Sequence, residues 1–306
     1  MLKIKIIDMK IQSLSIVVPT KNKCVNACKF CVSRTHTNPY YDKISSVVKE
    51  WNEGDDYFEQ SIEYKDYYNR LQFARDNGCN VVVLTGTGEP IQNPKFLDFF
   101  SEVNDTLTTP FKSIEMQTTG VMLDEESVAH LRAIGVTTIS FSISNIFDND
   151  RNLQLIGCHE KLRFDLVEAI NLVKKYDFNL RLSLNLVNDY DNYTVQHVID
   201  RCKELGADQV TFRKLYKSEL NNEIDKWIEK NASTKFYDEL IQYVKNKGKF
   251  LGVLPFGASS YNIDEMSIVI DDDCMSEDIK ETHKYLVLRE NCKLYTRWET
   301  KSSLVF

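Results

Sequence analysis

The stretch SLSIVVPTKNKCVNACKFC, residues 13–31, decides how the rest of the chain is interpreted. Its first six residues are rich in Ile, Leu and Val and predict a short, buried strand. Three cysteines follow, Cys24, Cys28 and Cys31, with three residues between the first two and two between the last two. Thiolates are the usual ligands of iron–sulfur clusters, and three of them on one tight loop can bind three irons of a cube and leave the fourth iron open.

A closed zinc site is the alternative interpretation of the same loop. His36 lies five residues beyond Cys31, and three thiolates with one imidazole can form a tetrahedral zinc site that serves stability or partner binding without catalysis. A cluster with an open iron requires instead that His36 is not a ligand. Basic residues around the triplet are expected to lower the thiol pKa values and to favour metal loading. They are Lys21, Lys23, Lys29 and Arg34.

The composition is that of an ordinary globular protein. The 306 residues are 42% hydrophobic and 27% charged, and the net charge of −7 argues against a large nucleic acid as partner. No apolar run reaches the roughly 20 residues of a membrane span, and the N-terminus lacks the pattern of a signal peptide. A cytoplasmic protein without membrane contact is therefore expected, in which thiols stay reduced and clustered cysteines indicate metal binding. The isolated cysteines are expected to be small buried hydrophobes: Cys79, Cys158, Cys202, Cys274 and Cys292.

Short apolar runs alternate with longer amphipathic stretches over most of the chain. The short runs predict six strands, at residues 13–18, 80–84, 113–118, 137–143, 180–186 and 209–213. The amphipathic stretches predict helices at residues 60–77, 94–106, 124–134, 160–175 and 193–205. A charged segment at 217–230 is expected to be a solvated helix or loop, and an amphipathic helix is predicted at 234–247.

This alternation of strand and helix predicts an α/β fold with parallel strands and right-handed helical crossovers. A complete eight-unit barrel takes about 250 residues, so six units by residue 213 predict a partial, open-sided (β/α)6 barrel. Strands at 267–270, 285–288, 293–298 and 303–306 predict a small β-rich C-terminal extension. The expected division is an N-terminal edge strand in residues 1–12, with 2–7 as the strand, a barrel core in 13–216, and a helical linker plus β-rich extension in 217–306.

The cysteine segment CVNACKFC, residues 24–31, resembles the signature of the radical S-adenosylmethionine (SAM) superfamily. In that family the pattern CxxxCxφC, with φ an aromatic residue, binds a [4Fe–4S] cluster, and Phe30 is the aromatic residue here. The resemblance implies Cys24, Cys28 and Cys31 as the cluster ligands, with SAM on the fourth iron. Three more segments that resemble family motifs end the next three predicted strands, in the family's order. They are LTGTGEP at 84–90, QTTG at 117–120 and FSISN at 141–145.

The same resemblance implies which residues contact SAM. LTGTGEP is similar to the motif that holds the amino group of the SAM methionine, which implies Gly86, Thr87, Gly88, Glu89 and Pro90. FSISN is similar to the segment that meets the SAM ribose, which implies Ser142, Ser144 and Asn145. Thr87 and Ser144 depart from the glycine and the acidic residue frequent in the family, and a hydroxyl binds a ribose more weakly than a carboxylate. Polar strand residues are expected to face a ligand-filled interior: Glu115, Gln117 and Asn185, the last two as SAM contacts. Arg213 and Lys214 end the sixth strand and are expected to contact a carboxylate or phosphate of SAM or of the substrate, with surface charge as the alternative.

The implied reaction is the reductive cleavage of SAM by one [4Fe–4S] cluster. It gives a 5′-deoxyadenosyl radical that abstracts hydrogen from a substrate, with a one-electron donor of flavodoxin or ferredoxin type as partner. A small molecule or nucleotide is the expected substrate. A peptide is the alternative, because an open-sided barrel admits a peptide segment. No second cluster is expected, since the cysteines after Cys158 are widely spaced.

Overall fold

Six parallel strands carry the loops of interest in the computed structural model, which describes residues 10–20, 24–35, 64–218, 220–254, 258–272, 282–298 and 301–306. The strands are β1 (Lys10–Val17), β2 (Val81–Thr85), β3 (Ser113–Thr118), β4 (Thr138–Ile143), β5 (Asn179–Asn185) and β6 (Gln209–Arg213). Each pairs in parallel with the next along the chain. The predicted alternation of strands and crossover helices is therefore confirmed.

Nine helices are described, mostly between these strands. They are α1 (Val32–Thr35), α2 (Tyr64–Asp76), α3 (Pro94–Asp105), α4 (Glu125–Ala133), α5 (Asn149–Ile156), α6 (Leu166–Lys175), α7 (Val195–Glu204), α8 (Glu223–Asn231) and α9 (Lys235–Lys247). The predicted helix over 160–175 is wrong at its start, because residues 160–162 form a separate 3-10 turn. Asp165 then caps α6 by accepting a hydrogen bond from the amide of Glu168. Helix α5 was not predicted.

The C-terminal strands extend the sheet at both of its edges. They are β7 (Lys249–Val253), β8 (Ser259–Ile263), β9 (Met266–Asp271), β10 (Thr282–Leu288) and β11 (Leu294–Tyr295). β9 pairs in parallel with β6 and β10 pairs in parallel with β1, so the order is β11-β10-β1-β2-β3-β4-β5-β6-β9-β8-β7. Within the described ranges β9 and β10 do not pair, which confirms an open, partial barrel with a β-rich extension.

Two tail predictions are wrong in detail. Of the strand predicted at 293–298, only residues 294–295 form a strand. The strand predicted at 303–306 is wrong too, because residue 303 ends a 3-10 turn over residues 301–303. A single bridge between Tyr295 and Leu304 is the pairing that remains. The edge strand predicted at 2–7 lies outside the described residues, and the division at residues 12 and 216 stays a prediction.

The two faces of the sheet differ in chemistry. Ile139, Phe141 and Ile143 on β4 belong to the main apolar core, as expected for residues that alternate along a strand with the opposite face. The opposite face is rich in polar residues and lines a central cavity. In the described parts of the chain, no helix is long and apolar enough to cross a membrane.

Candidate functional site

The three cysteines of the triplet lie on the loop that joins β1 to α1, and this loop packs against the end of α5. The amide of Ala27 donates to the carbonyl of Ile156 at 3.0 Å, and the amide of Lys29 donates to that of Leu155 at 3.1 Å. Gly157 ends α5 with φ +60°, and a Cβ there would lie 2.6 Å from the Ala27 carbonyl oxygen. Only glycine fits both the left-handed backbone and this approach.

The thiols of Cys24, Cys28 and Cys31 are half-buried. Burial, then the neighbouring Cys31 and Glu89, raise the pKa of Cys28 although Arg34 opposes them. Burial raises the pKa of Cys24 as well, against a hydrogen bond from the backbone of Asn26. The predicted lowering of thiol pKa values is therefore wrong at these two residues. At neutral pH Cys24 and Cys28 are therefore thiols, and a metal centre that binds them has to displace their protons.

The described donors do not converge on a single metal ion. In the part of the chain that the structure describes, no three Cys, His, Asp or Glu side chains are placed to hold one metal ion. Thiolates that bind three different irons of a cube do not have to converge on one point, whereas zinc ligands do. His36, the fourth ligand of the zinc alternative, lies outside the described residues.

Glu89 is a buried carboxylate at the end of β2, and hydroxyl, amide and side-chain NH groups surround it. The hydroxyls of Thr118 and Thr119 donate to it at 2.8 and 2.7 Å, and the Thr119 amide donates at 3.2 Å. The side-chain amide of Asn26 donates at 3.1 Å. Burial raises the pKa of Glu89, and these hydrogen bonds oppose the rise. No Lys, Arg or His in the described residues forms an ion pair with it, so it is suited to a cationic ligand.

Asn26 and Gln92 tie the cysteine loop to the loop of Glu89. Gln92 Oε1 accepts hydrogen bonds from the amides of Glu89 and Val25, at 3.1 and 3.3 Å. Asn26 Nδ2 also donates to Thr119 Oγ1 at 2.8 Å, and Asn26 Oδ1 is buried with no hydrogen-bond partner among the described residues. A buried carbonyl oxygen without a donor costs free energy unless a ligand or water supplies one. Neither residue is predicted from the sequence, because Asn26 occupies a variable position of the cysteine motif and Gln92 follows the glycine motif without a pattern of its own.

The glycine-containing loop after β2 comes close to the backbone of β1's end. A Cβ on Gly86 would lie 2.9 Å from the carbonyl oxygen of Val18, so this position requires glycine. Pro90 starts a 3-10 turn over residues 90–92 and is buried, and Thr87 lies between the two glycines of the loop. The loop thus presents backbone groups beside the cysteine triplet.

The predicted ribose residues are placed unequally. Asn185 Nδ2 donates to Ser142 Oγ at 3.1 Å, so these two side chains meet at the ends of β4 and β5. Ser144 is fully buried, and its hydroxyl has no hydrogen-bond partner in the part of the chain that the structure describes. Asn145 is occupied locally: Oδ1 accepts from the amides of the next loop and Nδ2 donates to Asp189 at 3.3 Å. A SAM contact by Asn145 stays a prediction with no direct support in this geometry.

A cavity of about 510 Å³ runs through the sheet's polar face, within the size range of small-molecule sites. It reaches Ser33 next to the cysteine loop and Gly86 at one end. Glu115 and Gln117, both predicted to face the interior, line it together with Arg213, whereas Asn185 is not among its described lining residues. The cavity thus extends from the start of α1 and the glycine loop to charged residues on several strands: Glu115, Arg181, Arg213, Asp271 and Lys284.

Phe30, the aromatic residue of the triplet, contacts α8 from the C-terminal segment. Its ring centroid lies 5.9 Å from that of Trp227, and Asn222 Nδ2 donates to the Thr35 carbonyl at 2.7 Å. Asp225 on α8 is buried: burial raises its pKa, but hydrogen bonds from Ser218 and Asn222 outweigh this and lower it. The charged segment at 217–230, expected to be solvated, thus packs against the cysteine loop. Its high charge gives no indication of this contact in the sequence.

The remaining cysteines lie outside the triplet. Cys79, Cys202 and Cys292 are buried as predicted. Cys158 is half-buried, so the prediction that it is buried is wrong; its pKa is raised chiefly by its partial burial, and the negative charge of Glu89 adds to this. Cys274 lies outside the described residues.

An open barrel of parallel strands, with a thiol loop and a buried carboxylate at the carboxyl ends of adjacent strands, defines a cluster-binding α/β enzyme class. A family model described as the radical SAM superfamily matches residues 18–202. The chain belongs to the radical SAM superfamily. It is therefore an enzyme, and its cofactors are a [4Fe–4S] cluster and SAM.

Solved structures share the fold at low sequence identity. SuiB of Streptococcus suis bound to its precursor peptide SuiA is 14% identical with a TM-score of 0.56, and the match covers 94% of this chain and 60% of SuiB. The radical SAM enzyme coproporphyrinogen III oxidase (HemN) of Escherichia coli is 10% identical with a TM-score of 0.53, over 92% of this chain and 63% of HemN. The chain thus spans less than two thirds of these proteins, and the likeness shows the fold alone. A search of curated proteins found no significant match.

Proposed function

We propose that Cys24, Cys28 and Cys31 hold the cluster and that Glu89 binds the ammonium group of SAM. When bound, the two cofactors supply the one-electron cleavage of SAM that starts hydrogen abstraction. The observation that carries the assignment is the Glu89 carboxylate, buried among the hydroxyls of Thr118 and Thr119 with no cation paired to it in the described residues. A buried charge of this kind is costly until an opposite charge reaches it.

The other SAM contacts are assigned to the loop at 86–90 and to the ends of β4 and β5. The close approach of Gly86 to Val18 lets backbone groups of the loop face a ligand without an intervening side chain. Ser142 and Asn185 present a joined hydroxyl and amide, which suits the hydroxyls of a ribose. Phe30 supports the cysteine loop through Trp227, and Gln117 lines the space below.

The substrate in this proposal is a small molecule or nucleotide that enters the cavity. A volume of about 510 Å³ and a wall of hydroxyls, amides and charged groups support a polar ligand of that size. The reducing electron comes from a protein of flavodoxin or ferredoxin type. A peptide segment is the alternative substrate that the open side of the sheet allows.

Anaerobic reconstitution tests the proposal. The full chain should bind about four irons, the content of a [4Fe–4S] cluster, and should convert SAM to 5′-deoxyadenosine when dithionite is added. Cys28→Ala should lose both the iron and the cleavage. Cys158→Ala is the matched control, since Cys158 is a half-buried thiol outside the triplet, and it should retain both.

A colourless protein that binds one zinc ion and leaves SAM intact would contradict the proposal. Equal loss of iron in the Cys28 and Cys158 variants would contradict the assignment of ligands. Release of 5′-deoxyadenosine above the substrate-free rate, measured across small polar molecules, nucleotides and peptides, decides between the substrate classes.

A further inference from the structure

Two arginines project from neighbouring strands into the cavity, and they differ in their partners. Arg181 on β5 is fully engaged: it forms an ion pair with Glu115, and its Nε and Nη2 donate to Gln209 Oε1 at 2.8 and 2.5 Å. Glu115 is buried, so this group braces β3 against β5 and β6. Arg181 therefore has a structural use that needs no ligand.

Arg213 on β6 is different, because its side chain donates no hydrogen bond to any described residue. Its Nε is buried without a hydrogen-bond partner. Within the described ranges Arg213 forms an ion pair with Asp271 on β9, whose Oδ2 lies 3.7 Å from Nε, too far for a good hydrogen bond. The other oxygen of Asp271 lies 3.9 Å from Lys284 Nζ on β10. A guanidinium offers five N–H donors, and the terminal nitrogens of Arg213 remain open to the cavity that the residue lines.

We propose that Arg213 binds an anionic group of the substrate, a carboxylate or a phosphate, through its free guanidinium fork. Planar guanidinium matches both anions with two parallel hydrogen bonds. Hydroxyls of Thr211, Ser260 and Ser267 line the same part of the cavity and suit the polar body of such a ligand. This inference rests on the proposed function, since it is the substrate of that reaction which the arginine holds.

The cavity explains how an anchored anion leads to chemistry. One space contains Arg213, Asp271 and, toward the cofactor side, Gly86 and Ser33. A small substrate held at Arg213 therefore extends toward the glycine loop and the cysteine loop. The tail strand β9 supplies Asp271, whose carboxylate forms an ion pair with the guanidinium from the Nε side.

Chemical modification of arginine tests this site in the reconstituted full-length protein. Phenylglyoxal is added with SAM bound and without reductant, because Arg213 is also a predicted SAM contact. The rate at each arginine is followed by proteolysis and mass spectrometry, with inorganic phosphate, succinate or chloride at equal ionic strength. With a dissociation constant of about 1 mM, about 10 mM of phosphate or succinate should slow the reaction at Arg213 about tenfold. Arg132, an exposed arginine on α4, should react at an unchanged rate.

Protection by phosphate alone assigns a phosphate-bearing substrate, and protection by succinate alone assigns a carboxylate. Protection by neither overturns the proposal. It is also overturned if SAM alone protects Arg213 fully and the anions add nothing, because the cofactor then occupies the fork. As a second measurement, broadening of the phosphorus resonance of phosphate should be seen with the wild type and Arg132→Gln and be lost in Arg213→Gln. If Arg213→Gln does not fold, the protection of Arg213 from phenylglyoxal in the wild-type protein decides whether the anion site exists.

SAM cleavage in the same preparation separates this inference from the proposed function. If SAM is cleaved but anions do not protect Arg213, the anion site is wrong and the proposed radical reaction is unaffected. If anions protect Arg213 but SAM is not cleaved, the anion site stands and the proposed radical reaction is wrong. The bound anion then no longer identifies a substrate of that reaction.

Discussion

Glu89 provides the sharpest test at the scale of single residues. Replacing the carboxylate by an amide, Glu89→Gln, removes the charge but preserves the size of the side chain. Loss of one charge-assisted hydrogen bond costs about 1.5–3 kcal/mol, so the dissociation constant of SAM should rise by about 10- to 150-fold. Equilibrium binding of SAM to the reconstituted, unreduced protein measures this, with the iron content unchanged.

The control for this prediction is Glu126→Gln, which makes the same chemical change at an exposed position on α4. Its affinity for SAM should equal that of the wild type. If Glu89→Gln binds SAM as tightly as Glu126→Gln does, then Glu89 does not bind the ammonium group, and its buried carboxylate only organises Thr118, Thr119 and Asn26.

Gly157 makes a second residue-scale prediction, because the cysteine loop rests on it. Gly157→Ala forces a Cβ into a left-handed position and to within 2.6 Å of the Ala27 carbonyl oxygen. The strained backbone alone costs about 1–2 kcal/mol of unfolding free energy, and the clash must also displace the loop. We expect lower stability and reduced iron content, measured by denaturant unfolding and iron assay.

Gly78→Ala isolates the backbone cost from the contact. Gly78 has φ +82°, and no atom lies within 4 Å of the position that a Cβ would take there. Its variant should therefore lose a similar amount, about 1 kcal/mol, while keeping its iron. Equal iron content in the two variants would show that the cysteine loop does not depend on its packing against α5.

At this scale the sequence predicts the residues whose chemistry is tied to spacing. The cysteine triplet and Glu89 are recognisable because a cluster and an ammonium group demand those side chains in that order. Asn26 and Gln92 are not recognisable, since their roles arise only when two loops far apart in sequence meet. The thiol pKa shift was predicted with the wrong sign, because counting nearby lysines ignores burial.

Helix α8 is the element whose role the sequence conceals most. Its charged residues predict solvation, yet Asn222 and Trp227 contact the cysteine loop through Thr35 and Phe30. The strands were easier, because a buried parallel strand is a continuous apolar run. The sequence predicts β9 and β10 as strands too, but it does not show which edge of the sheet each would join.

Asn222→Asp tests the element-scale role of α8. Aspartate is as good a helix cap as asparagine, so the helix itself should stay stable. The variant nevertheless loses the Nδ2 donor to the Thr35 carbonyl and places an oxygen there instead. One lost hydrogen bond, about 1 kcal/mol, should shorten the lifetime of the cluster in air about fivefold, followed by its visible absorbance.

Thr194→Asp is the matched control for α8. It adds the same charge at the cap of α7, where the side chain accepts from the His197 amide. Its cluster should bleach at the wild-type rate. A cluster in Asn222→Asp that is as long-lived as this control would show that α8 does not support the cysteine loop.

For the whole molecule, the tail strands make the barrel core and its extension one sheet. β9 adds to the β6 edge and β10 to the β1 edge, so eight neighbouring strands run in parallel although the repeat of strand and helix ends at β6. Their side chains meet across the open side, where Lys284 approaches Asp271 at 3.9 Å. Unfolding of the tail should therefore take the cysteine loop on β1 with it.

Ile268→Ala on β9 tests this coupling. Ile268 is fully buried and pairs with Val210 of β6, so the truncation should lower the free energy of unfolding by about 2–5 kcal/mol. Leu251→Ala on the edge strand β7 removes an exposed side chain and should cost less than about 0.5 kcal/mol. Denaturant unfolding is followed in parallel by far-ultraviolet circular dichroism and by cluster absorbance. Both midpoints should shift together in Ile268→Ala, because the sheet that carries β9 also carries the cysteine loop. If, in Ile268→Ala, the circular dichroism signal is lost at a lower denaturant concentration while the midpoint of the cluster absorbance stays at its wild-type value, the tail unfolds by itself.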